Sequence, residues 1–414
     1  MTTLKQRLRF GAFDVSDGPS GLSRYLISIL NQLDREQFEL VLFEHAHGPY
    51  RNIGPARHVI VCGEEACGAS APVPTVAGGH ELKILRSAWR HFAPAYLKHR
   101  GGFLRDSRKW CALFRCNPVD LLYLPITSCE PAAAAARLAG VPCVTGTFHT
   151  EAPRVRWHER LMERRTAHSL HTAIAVSEAT RQDWLKQTGL PQDRVVTIHN
   201  GIDPEICRAK LSREDARRQL GLPADRLIIA GVGRLATMKG FSETLDALAI
   251  LKSEFPCAMV VIAGDGPLRE QLESQIRTLG LADHAALLGF CTDVGAVYDA
   301  ADVFVLSSIM GEAAPYVVLE AMSHELPVVG TRVGGVPEML DSGETGFLIP
   351  PGDTAALAAA LRPLLSSAEL RQRMGKAGRQ RVIRCFHEDD MVRKTLEVYQ
   401  QMLRNAHLMA PATG

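Results

Sequence analysis

The chain has 414 residues, which is enough for two or three domains of ordinary size. Its composition, 46% hydrophobic and 22% charged, is that of a folded globular protein and excludes disordered, collagen-like and disulfide-stapled classes. The formal net charge of +2 conceals an asymmetry, since residues 1–205 carry 25 basic and 20 acidic side chains (+5), and the rest carry 22 and 25 (−3).

The cysteine pattern and the absence of long apolar runs bear on where the protein resides. Ten cysteines are scattered between Cys62 and Cys385, without a C-x-x-C pair or zinc-ligand spacing, which is typical of a reducing compartment. No signal peptide and no run of about 18 apolar residues is recognised. We therefore expect a cytoplasmic protein with no metal site and no membrane span; the resemblance described below adds the expectation of no cofactor.

Short apolar runs alternate with helix-length amphipathic segments in both halves, which is the pattern of parallel α/β folds. The strands predicted in the first half are Phe10–Phe13, Leu40–Phe43, Leu121–Leu124, Cys143–Thr147, Ala173–Val176 and Val195–Ile198. Those predicted in the second half are Leu227–Val232, Ala258–Ala263, Ala286–Leu288, Val303–Leu306, Val328–Val329 and Phe347–Ile349. Predicted helices include Glu243–Ser253, Leu268–Leu279, Tyr316–His324 and a final helix from Glu388 to Arg404.

These elements predict an α/β fold of two Rossmann-like domains that face each other across a cleft. The turn His199–Asp203, followed by Pro204, marks the change of domain, so that residues 1–203 form the first domain and residues 204–386 the second. The final helix, within residues 387–405, either extends the second domain or packs back on the first, and the second arrangement is the one predicted. Ligands of such sheets bind at the carboxyl ends of the strands.

A glycine-rich loop follows the first strand of the second half. Residues Gly231–Ala236 satisfy the dinucleotide pattern G-x-G-x-x-A, which alone is a weak signal. Arg234 and Lys239 add two cations at this loop, whereas dinucleotide sites rely mainly on backbone N–H groups. Two fixed cations suit a pyrophosphate that departs during a reaction. The alternative is that they are surface cations flanking a tight turn.

Two glutamates eight residues apart surround the start of a predicted helix. Pro315 suits the first helical turn, so Glu312 lies in the preceding loop and Glu320 two turns inside the helix. At about 1.5 Å rise per residue the two carboxylates are roughly 8 to 12 Å apart, which suits two ends of an extended ligand. The same spacing also arises by chance.

Further glycine and polar positions follow other predicted strands: Gly264-Asp265-Gly266-Pro267, Gly334-Gly335-Val-Pro-Glu338 and Ser20-Gly21. They serve either as tight turns or as points where backbone approaches a phosphate. His149 directly follows a predicted strand and is either a structural residue or a hydrogen-bonding group near the reacting atoms.

In this order the motifs resemble those of retaining glycosyltransferases of the GT-B fold, in the large glycosyltransferase family 4 (glycosyl transferases group 1). The set comprises Ser20-Gly21, His149, Ser177, Asn200-Gly201-Ile-Asp203, Gly233-Arg234 with Lys239-Gly240, Gly264 to Pro267, Glu312 through Glu320-Ala-Met, Pro327-Val-Val, Gly334 to Glu338 and Thr345-Gly346. The second half carries most of the match, and residues 45–115 match little.

The resemblance implies a nucleotide diphosphate sugar as donor, bound without a metal, and the GT-B arrangement of two Rossmann-like domains. It assigns the diphosphate to Arg234 and Lys239, the ribose to Glu320 and the transferred sugar to Glu312. His149 would lie beside the anomeric carbon. The candidate catalytic residues that the resemblance implies are Glu312, His149, Arg234 and Lys239. The remaining donor-binding positions that it implies are Gly21, Gly233, Asp265, Ala313, Ala314 and Glu338.

The same resemblance implies front-side attack with retention of anomeric configuration, so that catalysis rests on leaving-group stabilisation and positioning. Three residues depart from the family pattern. Ser20 replaces the first of a glycine pair, and Glu325 occupies a usual glycine before Pro327. Ala313 stands where glycine is common, which leaves the identity of the sugar open.

The acceptor is suggested by one basic segment. Residues 83–115 contain nine basic side chains and one acidic, so this window alone contributes +8 and the rest of residues 1–205 is net −3. Interleaved aromatic residues suit a segment that lies on anionic lipid, with Arg86, Arg90, Lys98 and Arg100 as membrane or acceptor contacts. The alternative is a solvated basic helix whose aromatic residues belong to the core.

We therefore expect a transferase that acts on a lipid-linked or membrane-proximal glycan, in the cytoplasm or on the inner face of the membrane. No nucleic-acid motif accompanies the basic segment. The alternatives are the same chemistry on a small soluble acceptor, an NAD-dependent oxidoreductase, and non-catalytic binding of a sugar nucleotide.

Overall fold

The computed structural model describes residues 7–14, 21–45, 57–62, 107–126, 131–152, 157–291 and 293–408. The chain divides into two units. Unit 1 comprises Met1–Ala175, Arg181–Ile198 and Val392–Gly414, and unit 2 comprises Val176–Thr180 and His199–Met391. The chain therefore passes between the units at four places, and one of them lies directly before His199.

Unit 1 contains a parallel sheet of seven strands in the order β3-β2-β1-β4-β5-β6-β7. Its strands are β1 Leu8–Asp14, β2 Phe38–His45, β3 Arg57–Cys62, β4 Leu121–Ile126, β5 Cys143–Phe148, β6 Thr172–Ala175 and β7 Val195–Thr197. The helices described in the same part of the chain are α1 Gly21–Gln32, α2 over 107–116, α3 Pro131–Ala139, α4 Trp157–Ser169 and α5 Glu178–Thr188.

The core of unit 1 lies between this sheet and its helices. Every residue of β5 is buried, as expected for a central parallel strand covered on both faces. Phe148 at its end stacks on Trp184 with the ring centroids 4.2 Å apart. These contacts fix the carboxyl end of β5, where His149 follows.

Unit 2 contains a parallel sheet of six strands in the order β10-β9-β8-β11-β12-β13. Its strands are β8 Leu227–Val232, β9 Ala258–Ala263, β10 Ala285–Gly289, β11 Val303–Leu306, β12 Val328–Thr331 and β13 Gly346–Ile349. Its helices are α6 Arg213–Gln219, α7 Phe241–Leu251, α8 Arg269–Thr278, α9 Gly295–Ala300, α10 Tyr316–Ser323, α11 Val336–Met339, α12 Thr354–Ser366 and α13 Ala368–Cys385. The strand order reverses beside β8, so β8 and β11 end next to each other.

The last helix, α14 (Glu388–Asn405), runs from one unit into the other, since residues from Val392 onward belong to unit 1. Tyr25 and Thr395 share a hydrogen bond of 3.1 Å between their hydroxyls. The ring of Tyr399 lies 5.5 Å from that of Phe10. These contacts seat the end of the chain against β1 and α1.

The fold class predicted from the sequence is confirmed: two Rossmann-like sheets, with the final helix packed on the first. Strands β8, β9 and β11 have the predicted bounds, whereas β3 was not predicted. The apolar run in this strand is only the three residues Val59–Val61, which is too short to predict a strand from the sequence. Its strand conformation comes from pairing along β2.

Candidate active site

The glycine loop of unit 2 connects β8 to α7 and touches the loop that follows β9. A Cβ on Gly264 would lie 1.9 Å from the carbonyl oxygen of Gly233, so the two loops meet backbone to backbone. The N–H of Leu235 donates to the carbonyl of Asp265 at 2.9 Å. The loop is thereby fixed at the carboxyl end of the sheet, with the side chain of Arg234 exposed.

Lys239 and Glu312 form the charged centre of this end of the sheet. Lys239 Nζ donates to Glu312 Oε1 at 2.5 Å, and Ser308 Oγ donates to the same oxygen at 2.5 Å. The Glu312 side chain is only 6% exposed and that of Lys239 23% exposed. A buried carboxylate thus has an ion pair and a hydroxyl donor, whereas Lys239 remains accessible to a further anion.

The backbone around Lys239 holds the ammonium in place. The short 3₁₀ turn Thr237–Lys239 ends at Gly240, whose φ of 63° favours glycine. A Cβ there would lie 2.0 Å from the carbonyl oxygen of Ser307. Ser307 Oγ in turn donates to the carbonyl of Lys239 at 3.0 Å. The ends of β8 and β11 are therefore joined directly beneath the ion pair.

Glu320 lies in the second turn of α10, whereas Glu312 lies in the loop before that helix. Tyr298 donates its hydroxyl to Glu320 Oε2 at 2.7 Å. Glu320 also lines a cavity of about 200 Å³ together with Val294, Tyr298 and His324. The carboxylate is oriented by the tyrosine and partly accessible from this cavity.

Glu338 is the centre of a hydrogen-bond network within unit 2. Its carboxylate accepts the N–H groups of Glu178 and Ala179, both at 2.8 Å, and lies 2.7 Å from His199 Nε2. Burial acts to raise the pKa of Glu338, but these hydrogen bonds outweigh it and hold the pKa below its ordinary value. Glu338 is therefore an ionised carboxylate that holds the backbone of Glu178 and Ala179 in place.

This network is connected to the segment that follows Glu312. The N–H of Gly335 donates to the carbonyl of Glu312 at 3.0 Å, and Asn200 Nδ2 donates to the carbonyl of Ala314 at 2.8 Å. Both Ala313 and Ala314 are buried. The backbone of the predicted sugar-binding loop is thus held on two sides.

Asp265, a predicted donor-binding residue, has an exposed side chain that accepts the N–H of Gly266 at 2.7 Å. In the structure this carboxylate shapes its own turn. Its backbone carbonyl contributes more to the site, through Leu235.

In unit 1, His149 is largely enclosed by two tyrosines. Tyr123 places its hydroxyl 3.5 Å from His149 Nε2, and the ring of Tyr25 lies edge-on at 4.9 Å. Burial lowers the pKa of His149 to about 3, so the imidazole is neutral near pH 7. Gly21, the other unit 1 position predicted to bind the donor, is the first residue of α1.

Several residues of the site carried no clear signal in the sequence. Ser308 and Tyr298 are ordinary strand-end and helix residues there, and only the folded chain places their hydroxyls on Glu312 and Glu320. His199 belongs to the predicted turn His199–Asp203, and Asn200 to a motif used for the resemblance, but neither had a predicted role. The available hint was that Gly201, which follows them, packs against the backbone of His387.

The predicted membrane contacts Arg86, Arg90, Lys98 and Arg100 lie outside the described residues. The end of the basic segment is described as α2. There Arg108, Lys109 and Arg115 are exposed, whereas Phe114 is buried in the core. This part matches the alternative of a solvated basic helix.

Within the described ranges no helix is both long and apolar enough to cross a bilayer. Among those same residues no three His, Cys, Asp or Glu side chains are grouped as metal ligands.

The strand order, the apposed glycine loops and the Lys239–Glu312 pair place a charged centre at the carboxyl ends of parallel strands, where doubly wound α/β proteins bind their ligands. Two family models match the chain: Glycosyltransferase Family 4 over residues 19–206 and Glycosyl transferases group 1 over residues 212–381. The chain therefore belongs to the family 4, group 1 glycosyltransferases.

Relatives of known name support this assignment. The chain is 32% identical over 223 residues to the putative glycosyltransferase EpsD of Bacillus subtilis, a match over 53% of this chain and 58% of that protein. It is 34% identical over 264 residues to the phosphatidyl-myo-inositol mannosyltransferase of Mycobacterium leprae, over 60% of this chain and 65% of that one. The matches thus span little more than half of these relatives.

Solved structures share the fold. HepE of Anabaena in complex with UDP-glucose aligns with a TM-score of 0.73 at 21% identity, over 95% of this chain and 100% of that one. Sucrose-phosphate synthase of Thermosynechococcus elongatus aligns with a TM-score of 0.72 at 20% identity, over 96% and 100%. At these identities the likeness concerns the GT-B fold alone.

Proposed function

We propose that the protein is a metal-independent retaining glycosyltransferase that moves a sugar from a nucleotide diphosphate sugar to a hydroxyl acceptor. The observation that carries this proposal is the Lys239–Glu312 pair, fixed beneath the glycine loop at the carboxyl ends of β8 and β11. Family membership and the UDP-glucose complex of HepE, a protein of the same fold, support a sugar-nucleotide donor over NAD.

The roles follow from the charges. Lys239 is accessible and Arg234 is exposed, so both ammonium and guanidinium can approach the diphosphate and stabilise its growing charge as the sugar departs. When Lys239 turns to the diphosphate, Glu312 is freed to accept hydroxyls of the transferred sugar. Glu320, already oriented by Tyr298, accepts the ribose hydroxyls.

The remaining donor contacts are backbone and neutral groups. In the proposed complex Gly21 and Gly233 allow close approach to phosphate, and backbone N–H groups of Ala313 and Ala314 donate to the transferred sugar. His149, held neutral by its surroundings, donates or accepts a hydrogen bond at the sugar without carrying charge. Retention then follows from front-side attack, in which the departing phosphate takes the acceptor proton.

The donor is identified by a thermal-shift panel of UDP-, GDP-, ADP- and dTDP-sugars with NADH and NADPH. At about 100 times its Kd the correct donor adds roughly 2.7 kcal/mol to stability. We expect one nucleotide sugar to raise the Tm and Lys239→Ala to remove that shift. Lys376→Ala, which removes an exposed ammonium of α13 in the same unit, serves as the control. Stabilisation by a nicotinamide cofactor alone would contradict the proposal.

For the acceptor we propose a lipid-linked or membrane-proximal glycan, reached from the inner face of the membrane. The support is the +8 charge of residues 83–115, together with relatives named for amylovoran and colanic acid biosynthesis. The phosphatidyl-myo-inositol mannosyltransferase adds a relative named for a lipid acceptor.

Vesicle sedimentation tests this acceptor class. We expect the protein to sediment with vesicles that contain anionic lipid. Replacement by Glu should abolish this co-sedimentation when it is made at all four positions Arg86, Arg90, Lys98 and Arg100. Equal recovery with neutral vesicles would instead favour a small soluble acceptor.

A further inference from the structure

Two arginines and a histidine lie at the amino end of the unit 1 sheet. Arg137 is in the last turn of α3, His171 directly precedes β6, and Arg194 directly precedes β7. His149 follows the opposite end of β5. At about 3.3 Å per residue the six residues of β5 place the two ends roughly 20 Å apart, so these three side chains lie far from His149.

The hydrogen bonds of His171 determine which ring nitrogen carries the proton. The backbone N–H of Val144 donates to Nδ1 at 2.9 Å. A backbone amide can only donate, so Nδ1 is unprotonated and the neutral imidazole carries its proton on Nε2. Burial, and then the charge of Arg137, lower the pKa of His171, which keeps the ring neutral.

Arg137 brings a second donor to that same nitrogen. Its Nη1 contacts His171 Nε2 directly. A guanidinium has no acceptor atom, so two N–H donors converge where neither can accept. Arg137 is exposed, so its guanidinium can move aside to admit an oxygen that accepts from both groups.

Arg194 completes the cationic group. Its Nε donates to the carbonyl of His171 at 3.1 Å, which anchors the guanidinium beside the imidazole. Burial, and then repulsion from Arg137, lower the pKa of Arg194, while Asp193 offsets part of this effect. In the described part of the chain neither Arg137 nor Arg194 has a carboxylate within ion-pair distance.

The surroundings extend the positive surface. Arg115 of α2 donates to the carbonyl of Leu138 at 3.2 Å, which brings another exposed cation next to Arg137. Leu138 itself is 66% exposed.

We propose that Arg137, His171 and Arg194 form a binding site for a phosphate group, separate from the donor site. A phosphate presents several anionic oxygens, which can accept from the converging N–H groups of Arg137 and His171 at once and be paired in charge by Arg194. The phosphate belongs either to a lipid headgroup or to a soluble phosphorylated molecule. The site does not depend on the proposed function.

Inorganic phosphate is the probe in a thermal-shift titration at constant ionic strength, with chloride as reference. Phosphate also stabilises proteins generally by exclusion from their surface, and this effect is common to all variants. At about 100 times Kd we expect an additional rise of roughly 5 °C in wild type. Arg137→Gln should lose this rise, and Arg137→Lys should retain part of it.

The control is Arg165→Gln, which removes an exposed charge of α4 in the same unit and should keep the full shift. Circular dichroism checks that each variant is folded. Arg137 is substituted rather than Arg194 because Arg194 donates to the backbone carbonyl of His171, so its loss would also disturb the fold. Equal shifts in wild type, Arg137→Gln and Arg165→Gln would overturn the proposal.

Vesicles of phosphatidylcholine with or without phosphatidic acid distinguish the sources. Loss of binding to the anionic vesicles in Arg137→Gln, but not in Arg165→Gln, identifies a lipid headgroup. Unchanged vesicle binding together with a lost phosphate shift identifies a soluble phosphate.

Discussion

Lys239 and Glu312 show what a sequence reveals of individual residues. Both were predicted to act on the donor, but at different parts of it, the diphosphate and the sugar. In the structure they form one ion pair at 2.5 Å although 73 residues separate them. The contact exists because β8 and β11 are neighbours in the sheet, and hydrophobic periodicity does not specify which strands pair.

His149 was predicted from its position after a strand, and its environment supplies what the sequence lacked. Tyr25 and Tyr123, distant in sequence, enclose the ring. Enclosure by groups without charge explains why the imidazole resists protonation, which no local pattern could predict.

The depressed pKa of His149 predicts a specific pH dependence. The folded-state pKa is about 3 and the ordinary value is 6.5, so the unfolded chain binds the proton first. Stability from this site is therefore fully present above about pH 6.5 and is lost as the pH falls towards 3. NMR titration of the imidazole measures the pKa directly.

His149→Asn has no titrating ring and should lose this part of the acid dependence of the unfolding free energy. An imidazole that titrates near pH 6.5 in the folded protein would contradict the description of this pocket.

At the scale of elements, the strands buried on both faces were predicted best. β9 is entirely buried, and a continuous apolar run between a proline and a glycine marks such a strand. The final helix was predicted from Glu388 to Arg404 and spans Glu388–Asn405. The prediction was close because the apolar positions of this segment recur at helical spacing. Periodicity does not specify the surface that the helix packs on, so the sequence left both the second and the first domain open as its partner.

The seat of α14 makes a prediction about Tyr399. The residue is 1% exposed, and its hydroxyl has no hydrogen-bond partner among the described residues. An unsatisfied buried hydroxyl is destabilising, so Tyr399→Phe should be neutral or stabilise by up to about 1 kcal/mol. Tyr399→Ala removes the packed ring and should cost about 3–5 kcal/mol.

Urea denaturation of both variants provides the comparison. A loss in Tyr399→Phe as large as that in Tyr399→Ala would show that the hydroxyl, rather than the ring, holds the helix.

At the scale of the whole molecule, the near-zero net charge is the sum of unlike parts. The +8 of residues 83–115 offsets negative charge elsewhere, and the described end of that segment has its cations exposed and Phe114 in the core. The second cationic group, around Arg137, was invisible in the sequence because its members come from three separate elements.

The residues with predicted roles are distributed over both units. Unit 2 holds the charged groups assigned to the donor, and unit 1 holds His149 and both cationic regions. The proposed reaction needs all the charged donor residues, and Lys239 is the one whose removal should most directly lower leaving-group stabilisation. We expect Lys239→Ala to reduce the rate of transfer by about 100-fold or more.

The most direct test of the central proposal is the anomeric configuration of the product. The protein is incubated with its nucleotide sugar and an acceptor in the presence of EDTA, and the product is analysed by NMR. We predict that the new bond keeps the configuration of the donor, that EDTA leaves the rate unchanged and that Lys239→Ala suppresses the reaction. An inverted product, or a reaction that stops with EDTA, would contradict the account.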